Sequence, residues 1–313
     1  MKIVFFRIKP HINMIQLFYK FIYNRQVNFI LRNINKSIGF LLPQKLKIPP
    51  SGLLTIRNLE GKTMKIRTNQ TNYLTFLIFW KGDYMQFEYT NIFIKLIKKI
   101  DTFYDIGANI GYYSLIAAME NHKINIVGFE PATGPLHYFT ENTKINNFEN
   151  IKVESIALSH KNGELEFHEI KNKKYQYLEH NLAGESNAGT KIEGRNYVIN
   201  NVKTSTLDSY VTRHNEKSIG LIKMDTEGTE YLILKNATHV LKEMKPVVIC
   251  ETLFNTIEPE LEEIMGSLGY EFYNHTKTGL QKVDTIIRRE DNGVRNCFFV
   301  HPSKFQLIEE FVI

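Results

Sequence analysis

The sequence predicts an α/β fold: a mostly parallel sheet of seven strands with an antiparallel strand at the C-terminal end. Three observations carry this. From residue 102 onward, short apolar runs alternate with helical stretches, the pattern of strand–helix–strand crossovers. A turn containing Gly107 and Gly111 joins the first of these runs to its helix, as at the ligand-binding end of an open α/β sheet. The last two extended runs, 270–274 and 296–301, have no helix between them. A parallel pair needs such a crossover, so one of them must run antiparallel.

The elements follow in order. Residues 1–50 form a basic N-terminal extension, predicted helical over 12–42, with Ile15, Leu17, Phe18, Phe21, Ile22, Phe29, Ile30 and Leu31 supplying its apolar side. Pro49-Pro50-Ser51-Gly52 breaks it and marks a boundary. Residues 51–100 read as a hairpin over 53–68, turning at Glu60-Gly61-Lys62, and a helical cap over 73–100 with a turn near Gly82-Asp83. The main domain, 101–313, opens with strand 102–106 and helix 112–121. Strand 124–129, a helix to about residue 147 and strand 153–158 come next. An irregular polar stretch follows, in which 171–200 carries Gly184, Gly189 and Gly194. A connection of that length without structure is uncommon unless it has a job, and a lid on the substrate side is the expectation. Strand 220–224, helix 229–243, strand 246–250 and helix 258–268 complete the alternation.

The formal net charge of +6 is a local property. Residues 1–50 hold nine Lys or Arg and no acid, and the first acid of the chain is Glu60. The remainder carries 30 basic against 33 acidic residues, so a nucleic-acid partner is not expected. A composition 43% hydrophobic and 23% charged excludes a disordered tail, a collagen-like rod and a disulfide-stapled miniprotein. Cys250 and Cys297 lie in apolar runs and read as buried free thiols, which makes a reducing, cytoplasmic compartment the expectation. No stretch reaches the roughly 18 uncharged apolar residues of a membrane span, and none has the layout of a signal peptide. For the extension two readings compete. One is a helical segment packed on the main domain with its basic face in water. The other is a peripheral contact with the inner face of a membrane, apolar side in the interface.

The strongest signal is Asp105-Ile106-Gly107-Ala108-Asn109-Ile110-Gly111-Tyr112-Tyr113 at a strand-to-helix turn, with Glu130 lying 25 residues after Asp105 at the end of the next strand. Gly107 and Gly111 permit a tight turn and close approach of the backbone to a ligand, and Glu130 is placed to accept both hydroxyls of a ribose. A pyrophosphate wants bare backbone N–H groups, and a carboxylate at Asp105 would repel it. The same carboxylate attracts an ammonium or a sulfonium. The site therefore suits S-adenosylmethionine, against the bland alternative of a purely structural turn.

These residues, with Gly128-Phe129-Glu130-Pro131, Thr206-Leu207-Asp208, Lys223-Met224-Asp225-Thr226-Glu227-Gly228-Thr229-Glu230 and Glu251-Thr252-Leu253-Phe254-Asn255, resemble the FkbM family of S-adenosylmethionine-dependent methyltransferases. The resemblance covers roughly residues 100–275. It implies a Rossmann-like class I methyltransferase fold and methylation of a hydroxyl on a sugar, glycan or natural-product acceptor, in a bacterial setting of polysaccharide or natural-product modification. Carried onto this chain, the turn of Asp105, Gly107, Ala108, Asn109 and Gly111 holds the methionine part of the cofactor, with Tyr113 among the contacts. Glu130 holds the ribose, Pro131 leads the chain past the adenine, and Ile156 and Ala157 lie against that ring. Asp225 sits where the methyl group must be presented.

Asp225, Glu227 and Glu251 are the candidate catalytic residues, acids at the carboxyl edge of the sheet that orient the acceptor hydroxyl or take its proton. Strand alternation puts Lys223 and Asp225 on one face, and Glu230 has the bland role of first-turn dipole compensation. Asp225 and Glu251 could share a divalent cation; the alternative, with no metal, makes Glu251 a contact to the acceptor. His160, His168, His180 and His239 show no ligand spacing and are expected at the surface or an edge, with His180 the one able to reach an acceptor. After the fourth strand the chain reads Asp225-Thr226-Glu227-Gly228, without the prolines and aromatic of a base-methylating platform. A cofactor-binding module without turnover and an NAD-dependent oxidoreductase are the rival readings.

Overall fold

The computed structural model describes residues 14–182, 186–188, 193–194 and 196–313. The chain enters through two helices, α1 (Met14–Ile22) and α2 (Arg25–Ser37), where one continuous helix was expected over 12–42; residues 12 and 13 lie outside the described residues. Asn24 makes the break, its side chain accepting from the N–H groups of Gln26 and Val27 to cap α2. The helices pack the other way round from an apolar side turned to the domain. Gln16, Asn28 and Arg32 are buried, while Ile15, Leu17, Phe18, Phe21, Phe29 and Ile30 are exposed. Polar bonds fix this inward face. Arg32 donates to the carbonyls of Ser51 (2.9 Å) and Leu53 (2.7 Å). Asn28 donates to the Pro49 carbonyl (3.1 Å) and accepts from the Ser51 N–H (2.7 Å). Among the described residues no helix is long and apolar enough to cross a membrane.

Strands β1 (Gly52–Arg57) and β2 (Thr63–Thr68) form the expected antiparallel hairpin. Alternation buries Leu54, Ile56, Met64 and Ile66 on one side of it. Helix α3 (Tyr73–Lys81) ends on Gly82 in the left-handed conformation, the turn read from the sequence, and α4 (Thr90–Ile97) follows. Ile56, Met64 and Ile66 share a single hydrophobic core with Phe93 and Ile97 of α4 and with Phe103 and Leu115 of the main domain. The 51–100 segment thus closes one flank of the main sheet.

The main domain runs β3 (Thr102–Ile106), α5 (Tyr112–Glu120), β4 (Asn125–Phe129), α6 (Thr133–Ile145), β5 (Ile151–Glu154), β6 (Ala157–Leu158), β7 (Gly163–Ile170), β8 (Tyr197–Ser205), α7 (Leu207–His214), β9 (Leu221–Met224), α8 (Glu230–Lys235), β10 (Val247–Glu251), α9 (Glu258–Ser267), β11 (Glu271–His275), β12 (Leu280–Val283) and β13 (Asn296–Val300). The large sheet has the order β12-β11-β13-β10-β9-β3-β4-β5. Its five strands β5, β4, β3, β9 and β10 are parallel, and β13 inserts antiparallel between β10 and β11. This is the class I methyltransferase-like α/β fold the sequence predicted, with β12 added at the edge.

Three stretches differ from their reading. The strand expected over 153–158 divides into β5 and the short β6, which leaves the large sheet to pair with β8. The stretch read as irregular holds the long hairpin β7–β8 and α7, so the polar connection shrinks to 171–196; its Gly184 and Gly189 lie outside the described residues, Gly194 inside. The helix expected over 229–243 stops at Lys235 and resumes as a π-helical turn, Val240–Met244. In the sheet's centre Cys250 and Cys297 pair in register across β10 and β13. Both are free and fully buried, and burial pushes the Cys297 thiol up to about 12 and Cys250 well above its ordinary value.

Candidate active site

The chain leaves β3 for β4 and β5 on one side and returns to β9 on the other. Beyond the carboxyl ends of β3 and β9 the connections diverge, which opens the crevice where open α/β sheets bind ligands. The 107–111 turn forms its floor. Gly107 has φ +73°, and a Cβ there would lie 2.0 Å from the Asp225 carbonyl oxygen, so the turn can butt against the end of β9 only with glycine. A Cβ on Gly111 would meet the Phe139 ring at 2.1 Å. Glu130 accepts from the Asn109 N–H on Oε2 (2.8 Å) and from the Ala132 N–H on Oε1 (2.9 Å). It thereby ties together the turns that follow β3 and β4. Burial pushes its carboxyl up to about 7, against the pull of those two donors and of Lys223.

Asp105 stands behind this floor. It is fully buried, and its Oδ2 accepts from the Ser114 N–H (3.2 Å) and hydroxyl (2.7 Å) in the first turn of α5. Its Oδ1 makes no hydrogen bond and faces Lys223 Nζ at 3.6 Å. Burial holds Asp105 above the usual carboxylate range despite Lys223 and Ser114. Lys223 also donates to the Gly107 carbonyl (3.0 Å) and lies 3.7 Å from Asp225 Oδ2. Burial works against its charge, but Asp225, Asp105, Glu88 and Glu130 together outweigh this and raise its pKa. Four carboxylates therefore act on one ammonium.

Glu88 was not singled out by the sequence. It accepts from the Tyr113 hydroxyl at 3.1 Å, and the Tyr113 ring stacks on Tyr89 at 5.0 Å between centroids. Its backbone is left-handed, φ +44°, a conformation that a glutamate holds only where the surroundings impose it. Desolvation first, and the Asp225 charge second, push Glu88 up to about 7; the residue as a whole is exposed, so water screens part of this effect.

Gly107, Asn109, Glu130, Pro131, Ile156, Ala157, Asp225 and Glu227 line one cavity of about 540 Å³, within the size range of small-ligand and cofactor sites. Asp105, Ala108, Gly111, Tyr113 and Glu251 do not line it. Tyr113 turns to Glu88, and Glu251 ends β10 opposite Asn296. Four acids, Glu130, Glu166, Asp225 and Glu227, are in the wall, and no lysine or arginine is among the described lining residues. His160 and His168, expected at the surface or an edge, are also in this wall. His180 is outside it, stacked on His137 at 4.0 Å. The hairpin β7–β8 and its connection supply Phe167, Ser186 and Ala188 to the same wall, so the segment read as a substrate lid borders the cavity beside Glu130. Glu169 docks β7 on the start of α6 by accepting from the Thr133 N–H (2.9 Å) and hydroxyl (2.7 Å). Glu230 bonds the N–H groups of Thr226 and Gly228 and shapes the loop beneath Asp225. Among the described residues no group of three or more His, Cys, Asp or Glu could hold a metal ion.

A family model, the methyltransferase FkbM domain, matches residues 105–272. The chain belongs to the FkbM methyltransferase family. S-adenosylmethionine is the cofactor this membership brings with it. Among solved structures, the chain is similar to a methyltransferase FkbM from Methylobacillus flagellatus at 15% identity and a TM-score of 0.41, covering 64% of this chain and 43% of that one. It is also similar to the N-terminal domain of human METTL16 at 14% identity and a TM-score of 0.41, covering 79% and 87%. A third is the precorrin-6y C5,15-methyltransferase of Geobacter metallireducens, at 11% identity and a TM-score of 0.37, covering 67% and 86%. The chain thus spans less than half of the first of these FkbM and related proteins. No curated protein matches it.

Proposed function

We propose that this FkbM-family chain transfers the methyl group of S-adenosylmethionine to a hydroxyl oxygen of a sugar, glycan or natural-product acceptor. The charge of the cavity wall carries the reading: four acids and no described lysine or arginine. A phosphorylated nucleotide would face carboxylates there, whereas a ligand with an ammonium and a sulfonium is drawn in. Glu130 would hold the ribose hydroxyls on the lone pairs that its two backbone donors leave free. Pro131, Ile156 and Ala157 would pack against the adenine. Gly107 and Asn109, with Asp225, would hold the methionine end. Asp105 would act through its field and by fixing Ser114 and Lys223. When bound, the cofactor supplies an activated methyl group and a neutral leaving group.

The protein's own share is alignment and one proton. Glu88 lines a second, wider opening of about 1450 Å³ together with His275, Arg295 and Asn296. That polar rim suits a hydroxyl-rich acceptor. Glu88 would take the hydroxyl proton, a contribution of about 10²–10⁴-fold for a positioned base, while Asp225 and Glu227, from the wall of the first cavity, and Glu251, opposite Asn296 of the second opening, would orient the acceptor.

Calorimetry with S-adenosylhomocysteine, paired with a methyl-transfer assay on glycan acceptors and mass spectrometry of native glycans with and without the protein, tests the reading. Binding with one added methyl group on an oxygen supports it. Binding without transfer would leave a cofactor-holding module, and no binding would overturn both.

A further inference from the structure

We propose that the exposed apolar faces of α1 and α2 dock on an anionic lipid surface. This goes beyond methyl transfer, and its test does not depend on that activity.

The two helices present to water the residues that helices normally bury. Met14, Phe18 and Phe21 recur at spacings of four and three, so they share one face of α1. They are 87%, 58% and 64% exposed. On α2 the outward residues include Ile30 and Ile34, and Phe40 and Leu41 stand clear just beyond its end. Single exposed apolar residues are ordinary, but a run of large ones marks a contact surface.

The orientation is built in. Arg32 and Asn28 hold α2 by bonds to residues 49–53, and the Gln16 amide of α1 donates to the Lys174 carbonyl at 2.9 Å. Rolling the helices over to hide their apolar faces would bury those faces at the cost of these bonds and of an unpaired guanidinium. The surface is therefore specified by the polar side.

Charge selects the occupant. Lys20, Arg25 and Lys45 are exposed on the same two-helix segment and the turn after it, while Lys36 is turned to the Phe79 carbonyl (2.7 Å), and no acid precedes Glu60. A second copy of the chain would bring these cations against their own kind. An anionic bilayer neutralises them while its acyl boundary takes the phenylalanines and isoleucines. Since no described helix can span, the contact lies in the plane of the interface.

The test uses the full chain and sedimentation with vesicles of phosphatidylglycerol and phosphatidylethanolamine, or of phosphatidylcholine alone. The wild type should pellet with the anionic vesicles, weakly with the neutral ones, and less as salt is raised. Phe18→Glu, Phe21→Glu and Ile30→Glu combined should reduce binding about tenfold or more with the melting midpoint unchanged, since all three side chains are exposed. Lys20→Glu with Lys45→Glu should reduce it less and remove the preference for anionic lipid. No pelleting, equal pelleting of the wild type with both vesicles, or undiminished binding of the triple variant would each overturn the proposal. So would a concentration-dependent dimer, without vesicle binding, that the triple variant abolishes.

Discussion

Lys223 and Asp105 face each other across 3.6 Å, their side chains 6% and 1% exposed, directly beneath the turn that floors the crevice. The lysine is the near counter-charge of a cluster of acids, so the local field stays negative after the pair has formed. A wall of this sign accepts a cationic ligand without first rearranging.

Removing one partner of that pair strands the other charge out of water. Lys223→Met should lower the unfolding free energy by about 3–5 kcal/mol. Adding Asp105→Asn to it should recover most of the loss, because the charge left behind is then gone. Urea melts of the two variants check this; a Lys223→Met protein as stable as the wild type would deny the pair its role.

Glu130 makes cofactor binding pH-dependent. In the free protein burial lifts its carboxyl from 4.5 to about 7. For folding, the sign is a penalty: absent below about 4.5, growing up to about 7 and constant above. Hydroxyl donors or a positive charge arriving beside it favour the ionised form. Affinity for S-adenosylmethionine should therefore rise from pH 6 to 8, with proton release recorded by calorimetry in buffers of different ionisation heat. Glu130→Gln should weaken binding about 10–100-fold and flatten the profile.

Glu88→Gln separates the base from the binding site. The turnover rate should fall about 10²-fold or more, with affinity for S-adenosylhomocysteine nearly unchanged. In the wild type the rate should climb as pH rises through about 7, since the carboxyl must lose its proton before it can accept one. That limb should vanish in the variant. A proportional loss at every pH would point to a structural role instead.

Gly107→Ala combines a left-handed backbone with a clash against the Asp225 carbonyl. We expect a loss of about 2–4 kcal/mol in stability and no detectable cofactor binding. Thermal melts and calorimetry read both.

The main sheet was legible because its strands are short, apolar and separated by helices; all five residues of β3 are buried. The place of Glu130 in the cavity wall, just past β4, was legible from the strand pattern and its spacing from Asp105. The hairpin β7–β8 was not. Its strands are polar, with only Phe167 and Glu169 buried in β7, so pairing rather than burial creates them. Amphipathicity showed where the apolar side of α1 and α2 lies but not which side meets the domain. That choice is made by Arg32 against backbone carbonyls at 51 and 53, which leave no mark in the residue pattern. Glu88 meets Tyr113 and the second opening only because the cap folds over α5, and His160 and His168 enter the cavity wall only because β6 and β7 turn back over the crevice.

Cys250 and Cys297, opposed in the middle of the sheet, have a practical meaning. Alkylating reagents attack thiolates, and here both sulfurs are sealed and protonated at neutral pH. A reagent such as iodoacetamide can mark them only when neighbouring strands part. Because the two sit side by side, they should be labelled together, and the labelling rate becomes a clock for how often the heart of the molecule comes undone.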